Sequence, residues 1–125
     1  MPRIILVEDD ESLRTTLTEF LEQSGHEVCI AANGRIAWQF LEGQAFDLVI
    51  TDLVMPDMEG LEFITKLRKA GHNIPIIAMT GGGRDIYLTL AEKLGARAIL
   101  TKPFRLAELL EAVSSALKGD KRNLA

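Results

Sequence analysis

The sequence predicts a doubly wound α/β fold built on one parallel sheet of five strands. Short apolar runs alternate with longer stretches of helical periodicity five times along the chain. Strict alternation of this kind implies parallel strands with helices on both sheet faces. The third run, centred on Leu48-Val49-Ile50, is continuously hydrophobic, which favours burial on both faces. Glycines recur just after the helical stretches, at Gly25, Gly71 and Gly95, where a left-handed C-terminal cap is easiest for glycine.

Taken in order, residues 4–7 form the first predicted strand and residues 12–24 the first helix. In that helix Leu13, Leu17, Phe20 and Leu21 share one face at i, i+4, i+7 and i+8. Residues 27–31 form the second strand, which carries Cys29, and residues 35–42 the second helix. There Trp38, with Ala37 and Leu41, is expected to pack the helix on the sheet, and Gly43 to cap it. The third strand covers 46–51 and leads to Asp52; the third helix covers 61–70. The fourth strand (74–79) leads to Thr80 and a helix over 86–94. The fifth strand (97–101) leads to Lys102 and a last helix over 106–117, with Leu106, Leu109, Leu110, Val113 and Leu117 on one face.

The length of 125 residues fits a single domain, read as residues 1–118, with 119–125 as a polar tail or the start of a linker. A hydrophobic content of 47% leaves no compositional case for disorder. The net charge of -4 argues against direct nucleic-acid binding, for which surfaces are usually basic. The single cysteine, Cys29, has no partner for an internal disulfide and reads as a small core residue. The apolar stretch after Arg3 is too short for a signal peptide or a membrane span, and nothing later is long enough either. A cytoplasmic protein without membrane contact is expected.

Four strand ends carry chemistry: Glu8, Asp9 and Asp10 after the first, Asp52 at the third, Thr80 at the fourth and Lys102 at the fifth. Open α/β sheets bind their ligands at these carboxyl ends. The first and third strands are neighbours across the switch point of such a fold, so their carboxylates converge. Clustered carboxylates repel unless a cation neutralises them, and hard oxygen ligands suit Mg²⁺ better than zinc. Neither histidine offers a softer alternative: His26 and His72 sit beside helix-ending glycines and read as solvated loop residues. Thr80 can donate to an anion, and Lys102 brings a point charge suited to a phosphoryl oxygen. Between a metal and a lysine a carboxylate can become a nucleophile towards phosphorus.

Each piece alone is unspecific. An acid after a strand is often a helix N-cap, and Asp10 or Ser12 can be that. Lys-Pro is usually only a turn, and Thr80-Gly81-Gly82-Gly83 lacks the remaining residues of a P-loop. The force of the pattern lies in all four groups falling at the strand ends of one chain.

These residues resemble the receiver domain of two-component response regulators. The matching pieces are Ile5-Leu6-Val7-Glu8-Asp9-Asp10, Asp47 through Pro56, Met79-Thr80-Gly81 and Lys102-Pro103-Phe104, within a similarity running from about residue 3 to 117. The resemblance implies a flavodoxin-like (βα)5 fold with strand order 2-1-3-4-5. It implies that Asp52 accepts a phosphoryl group from a sensor histidine kinase or phosphotransfer protein. Asp9 resembles the acid that binds Mg²⁺ directly and Glu8 the neighbour that acts through water, leaving Asp10 as an extra acid. Asp52 and the backbone carbonyl of Val54 complete the implied metal ligands. Thr80 resembles the switch hydroxyl and Lys102 the lysine that pairs with the phosphoryl group, with the Lys102-Pro103 bond expected to be cis.

One position departs from the family pattern. Three residues before Lys102, where a Tyr or Phe is common, the chain has Ile99. An aliphatic side chain cannot stack or donate, so the expected switch is backbone movement in the Gly81-Gly82-Gly83 loop. Met55 and Met58 flank the site, Met58 being the more exposed expectation.

The resemblance implies a signalling switch rather than an enzyme with a separate substrate. Its output face would be the fourth helix, fifth strand and fifth helix. That face would meet a downstream protein, a fused output domain of a longer regulator, or a second copy if activation drives dimerisation. The charges there, among them Arg84, Lys93, Arg105, Glu108 and Glu111, are mixed and identify no partner. Two other readings stand beside it. A pseudo-receiver would keep the fold as a binding module without phosphotransfer. An aspartyl-phosphate phosphohydrolase usually carries a second Asp two residues after the nucleophile, and here that position is Val54.

Overall fold

The computed structural model describes residues 1–53, 60–81 and 85–119. Strands and helices alternate as β1 (Arg3–Val7), α1 (Glu11–Gln23), β2 (Glu27–Ala31), α2 (Gly34–Gly43), β3 (Leu48–Asp52), α3 (Gly60–Lys69), β4 (Ile76–Thr80), α4 (Asp85–Lys93), β5 (Ala98–Thr101) and α5 (Leu106–Leu117). All pairings are parallel and the strand order is β2-β1-β3-β4-β5, as the resemblance implies. β1 and β3 lie side by side, with Val7 opposite Thr51, so residues 8 and 52 emerge together from the sheet.

Successive side chains of a strand point to opposite faces, and here each face has its own apolar layer. Ile5, Val7, Val49, Ile76 and Ala78 pack with Ala37, Leu41, Phe63, Ile64, Leu67 and Ala91 from α2, α3 and α4. Ile4, Leu6, Leu48, Ile50, Ile77 and Met79 pack with Leu17, Leu21, Leu109, Ala112, Val113 and Ala116 from α1 and α5. The central strands β3 and β4 are buried at every residue, which accounts for their unbroken apolar runs.

Local chemistry sets the ends. Asp10 caps α1 by accepting the Leu13 N–H at 3.2 Å, and Asn33 caps α2 by accepting the Ile36 N–H at 2.9 Å. Gly25, Gly71 and Gly95 take positive φ, as expected. Gly43 does not: it is the last residue of α2, and the chain leaves through Gln44 in extended conformation. β3 and β4 begin two residues later than the apolar runs suggest, and each ends one later, on Asp52 and Thr80. Pro75 has no N–H to donate, though its carbonyl accepts from Val49 at 3.0 Å, so β4 starts beyond it. Phe46 precedes β3 and lies under the Arg3 guanidinium, 4.7 Å from its ring centre.

Five side chains, Leu106, Leu110, His26, His72 and Cys29, sit differently from the sequence expectation. Leu106 and Leu110 of α5 are exposed, because the buried stripe runs through Leu109, Ala112, Val113 and Ala116 instead. Trp38 is half-buried over the seam between α2 and α3. The Lys66 ammonium lies 4.4 Å from its ring centre, and the His72 ring meets it edge-on at 5.9 Å. His72 and His26 are therefore half-buried rather than fully solvated. Cys29 is also only half-buried, because β2 is an edge strand.

Candidate functional site

The carboxyl ends of β1, β3, β4 and β5 bring the sequence-predicted residues to one end of the sheet. Glu8 follows β1 with its backbone N–H donating to the Ala31 carbonyl at 3.1 Å, and it is fully buried. Asp52 closes β3 and is 8% exposed, while Asp9 is open to solvent. Carboxylate oxygens of Glu8, Asp9 and Asp52 lie within 4.8 Å of one another. Asp10 stands outside this group, engaged as the α1 cap, which leaves Glu8 and Asp9 as the pair facing Asp52.

Lys102 bridges two of the three acids. Its Nζ donates to Glu8 Oε1 at 2.6 Å and to Asp52 Oδ2 at 2.7 Å. Its backbone N–H donates to the Thr80 carbonyl at 2.7 Å, and the Lys102-Pro103 bond is cis, as expected. Thr80 ends β4 almost fully buried, one residue beyond Met79, which pairs with Asp52 across the sheet. Ile99 of β5 is half-buried against the layer holding α3 and α4. Gly81 is exposed, and a side chain there would meet open space. Val54, Met55, Met58, Gly82, Gly83 and Arg84 lie outside the described residues, as do residues 120–125.

The electrostatics follow from three carboxylates facing one ammonium. Burial, the largest effect, pushes Glu8 up from the usual carboxylate range to about 7. Its hydrogen bonds from Lys102 and the Asp10 N–H hold it down only in part, while Asp9 and the Asp52 charge push it further up. For Lys102 burial alone would lower the pKa. The hydrogen bonds to Asp52 and Glu8 and the charges of both outweigh it, so the ammonium titrates above its ordinary value. An all-oxygen cluster of three acids facing one ammonium fits a hard divalent cation such as Mg²⁺.

Sequence reasoning did not single out three residues around this cluster. Arg14 of α1 donates from Nη1 to the Glu8 carbonyl at 2.8 Å. The buried Thr51 hydroxyl donates to the Asp52 carbonyl at 2.9 Å. Gly60 opens α3 directly against that same carbonyl. Only Gly60 carried a legible signal: a glycine at the start of a helical stretch rather than after it.

A parallel α/β sheet with clustered acids, a buried hydroxyl and a paired lysine at its carboxyl edge defines the class of open α/β proteins whose site lies at the strand ends. Sequence comparison narrows this class to one family. The response regulator receiver domain matches residues 4–114, and the chain belongs to that family. It is 38% identical over 117 residues to the DNA-binding transcriptional regulator NtrC of Azospirillum brasilense, covering 94% of this chain and 24% of NtrC. It is 35% identical over 118 residues to the transcriptional regulatory protein CpxR of Escherichia coli, covering 94% of this chain and 50% of CpxR. The chain thus spans a quarter to a half of these relatives. Among solved structures, response regulator TrrA of Thermotoga maritima, in complex with Mg²⁺ and BeF, superposes with a TM-score of 0.83 at 33% identity. That match covers 93% of this chain and 99% of TrrA. Receiver domains are signalling modules. No helix among the described residues is long and apolar enough to cross a membrane.

Proposed function

We propose that this domain is a phosphorylation-controlled switch in which Asp52 accepts a phosphoryl group from the histidine of a sensor kinase or phosphotransfer protein. The observation that carries the reading is the Lys102 bridge, 2.6 Å to Glu8 and 2.7 Å to Asp52, beside the exposed Asp9 carboxylate. An Asp52 carboxylate oxygen attacks phosphorus, the phosphorus–nitrogen bond of the donor imidazole breaks, and its electron pair stays on the nitrogen. Lys102, already seated at Asp52, follows the charge onto the phosphoryl oxygens, and the Thr80 hydroxyl donates to one of them. Asp9, Asp52 and the Val54 carbonyl would hold Mg²⁺, with Glu8 acting through water, and the bound cation would offset charge on the phosphoryl oxygens. The similarity to TrrA, solved with Mg²⁺ and BeF, supports this assignment.

The switch itself follows from what surrounds Thr80. Ile99 offers no ring to flip, so the signal passes through backbone movement of the loop beginning at Gly81, where no side chain opposes it. The output is a changed surface on α4, β5 and α5. That surface meets a downstream protein, a fused output domain such as those of regulators like NtrC and CpxR, or a second copy. Residues 1–118 form the folding unit, 119–125 the tail or linker, and the protein works in the cytoplasm without contacting membrane or nucleic acid through this domain.

The test is incubation with acetyl phosphate, with Mg²⁺ or with chelator, followed by intact mass. We expect one added phosphoryl group that requires Mg²⁺ and is absent in Asp52→Ala. Addition that persists in Asp52→Ala would overturn the assignment, and no addition even from a histidine-phosphorylated donor protein would favour the pseudo-receiver.

A further inference from the structure

Gly60 does not serve a turn. Its φ is not in the left-handed region, and it sits inside the first turn of α3. What its position demands is space. A Cβ added there would run into the Asp52 carbonyl oxygen and come within 2.7 Å of both the Asp52 carbonyl carbon and the Leu53 Cα. All of these are backbone atoms, which cannot turn aside as the end of a flexible side chain can. The start of α3 is also tied to the same place by the Leu61 N–H, which donates to the Leu53 carbonyl at 3.4 Å. From the other direction the fully buried Thr51 hydroxyl donates to the Asp52 carbonyl at 2.9 Å.

We propose that Thr51 and Gly60 are positioning residues for Asp52, fixing its peptide group between a hydroxyl from β3 and the bare Cα at the start of α3. The inference rests on the reading of Asp52 as the phosphoryl acceptor. The carboxylate of an aspartate is separated from its Cα by only two rotatable bonds, so holding the Asp52 backbone in place narrows where the carboxylate can reach. Held there, Oδ2 meets Lys102 Nζ at 2.7 Å and the carboxylate stands with Glu8 and Asp9. Neither Thr51 nor Gly60 touches the reacting atoms; both act through the Asp52 backbone. A misplacement of about 1 Å at a reacting group can cost on the order of a hundredfold in rate. That makes the missing Cβ of Gly60 a functional requirement as well as a packing one.

The decisive comparison is Thr51→Val, which keeps the shape and removes the hydroxyl, against Thr51→Ser, which keeps the hydroxyl and removes a methyl. Gly60→Ala runs beside them where it folds. Two readouts are taken on each: the rate of phosphorylation by acetyl phosphate with Mg²⁺, and the ¹³Cγ resonance of Asp52 at fixed pH in metal-free protein. The resonance reports the Asp52–Lys102 pair without needing metal or phosphodonor. Thr51→Val should slow phosphorylation roughly tenfold and Gly60→Ala roughly a hundredfold, both moving the Asp52 resonance, with Thr51→Ser close to wild type in each. The proposal is overturned if Thr51→Val matches wild type in both readouts, or if Thr51→Ser falls as far as Thr51→Val, since volume rather than the hydroxyl would then be at work. A wild-type protein that takes no phosphoryl group from acetyl phosphate or from a histidine-phosphorylated donor protein would refute the acceptor reading alone, and the resonance comparison would still decide the positioning role.

Discussion

Glu8 sits in an environment unlike the one its type suggests. It is fully buried, and the ammonium its carboxylate meets, Lys102, is shared with Asp52. The pH consequence follows from its pKa of about 7 against an unfolded value of 4.5. Below about pH 4.5 the group is protonated in folded and unfolded chains alike. Between there and pH 7 the unfolded chain has released the proton while the folded chain keeps it, so stability falls as pH rises. A shift of that size sets a ceiling of about 3 kcal/mol on the loss. In chelated protein, urea unfolding should therefore show Glu8→Gln gaining on wild type from pH 4.5 to 7.5. A gap that stays flat over that range would mean the lysine keeps Glu8 ionised throughout. The sequence showed the acid run at a strand end, and the family resemblance implied that Glu8 and Asp9 are the pair beside Asp52. It did not show that Glu8 is sealed from water, because burial depends on how α1 closes over the strand end, and one Arg14 hydrogen bond to the Glu8 carbonyl is part of that closure.

At the scale of elements, the fold ties α3, the approach to β4 and the end of α4 together through one side chain that no pattern announced. Arg68 of α3 donates from Nε to the Leu94 carbonyl at 2.8 Å and from Nη1 to the His72 and Ile74 carbonyls, both at 2.9 Å. These carbonyls belong to the α3–β4 connection and to the end of α4, where strand and helix hydrogen bonds run out. Removing the guanidinium strands them together, and hydrogen bonds to charged groups contribute about 1.5–3 kcal/mol each at most. Arg68→Met should lower stability by about 3 kcal/mol in urea unfolding. Arg68→Lys should recover less than half of that, because an ammonium lacks the planar fork that serves several acceptors at once. A lysine variant as stable as wild type would show that charge alone suffices. An arginine on the polar side of a helical stretch has no signature in sequence, since its acceptors lie as many as 27 residues away. The elements themselves were legible because two periodicities separate them. Their edges moved where a local rule overrode the pattern, at Pro75 before β4 and at the alanines that displaced Leu106 and Leu110 from the buried face of α5.

For the whole molecule, alternation of strand and helix dictates the parallel sheet, and the parallel sheet dictates that strand ends from distant parts of the chain meet. This is why residues 8, 9, 52, 80 and 102 could be read as one site without knowing a single distance. The same topology makes the site a clasp on the sheet's centre, since its carboxylates hang from β1 and β3, the neighbouring strands that both apolar layers enclose. A cation bound only by the folded chain adds stability by mass action, about 2.7 kcal/mol at a concentration a hundred times its dissociation constant. Because the clasp joins central strands, that gain should move the unfolding of the entire domain and not a local segment. Far-UV circular dichroism and the fluorescence of Trp38, the one tryptophan, which reports the α2–α3 seam, should shift together as Mg²⁺ is raised. Asp9→Ala should abolish the shift in both. The gain should also be larger at pH 7.5 than at pH 5.5, since the cation must compete with the proton that Glu8 keeps below about 7. Equal gains at the two pH values would separate Glu8 from the metal site. A midpoint indifferent to Mg²⁺ in wild type would remove the cation from the acid cluster altogether.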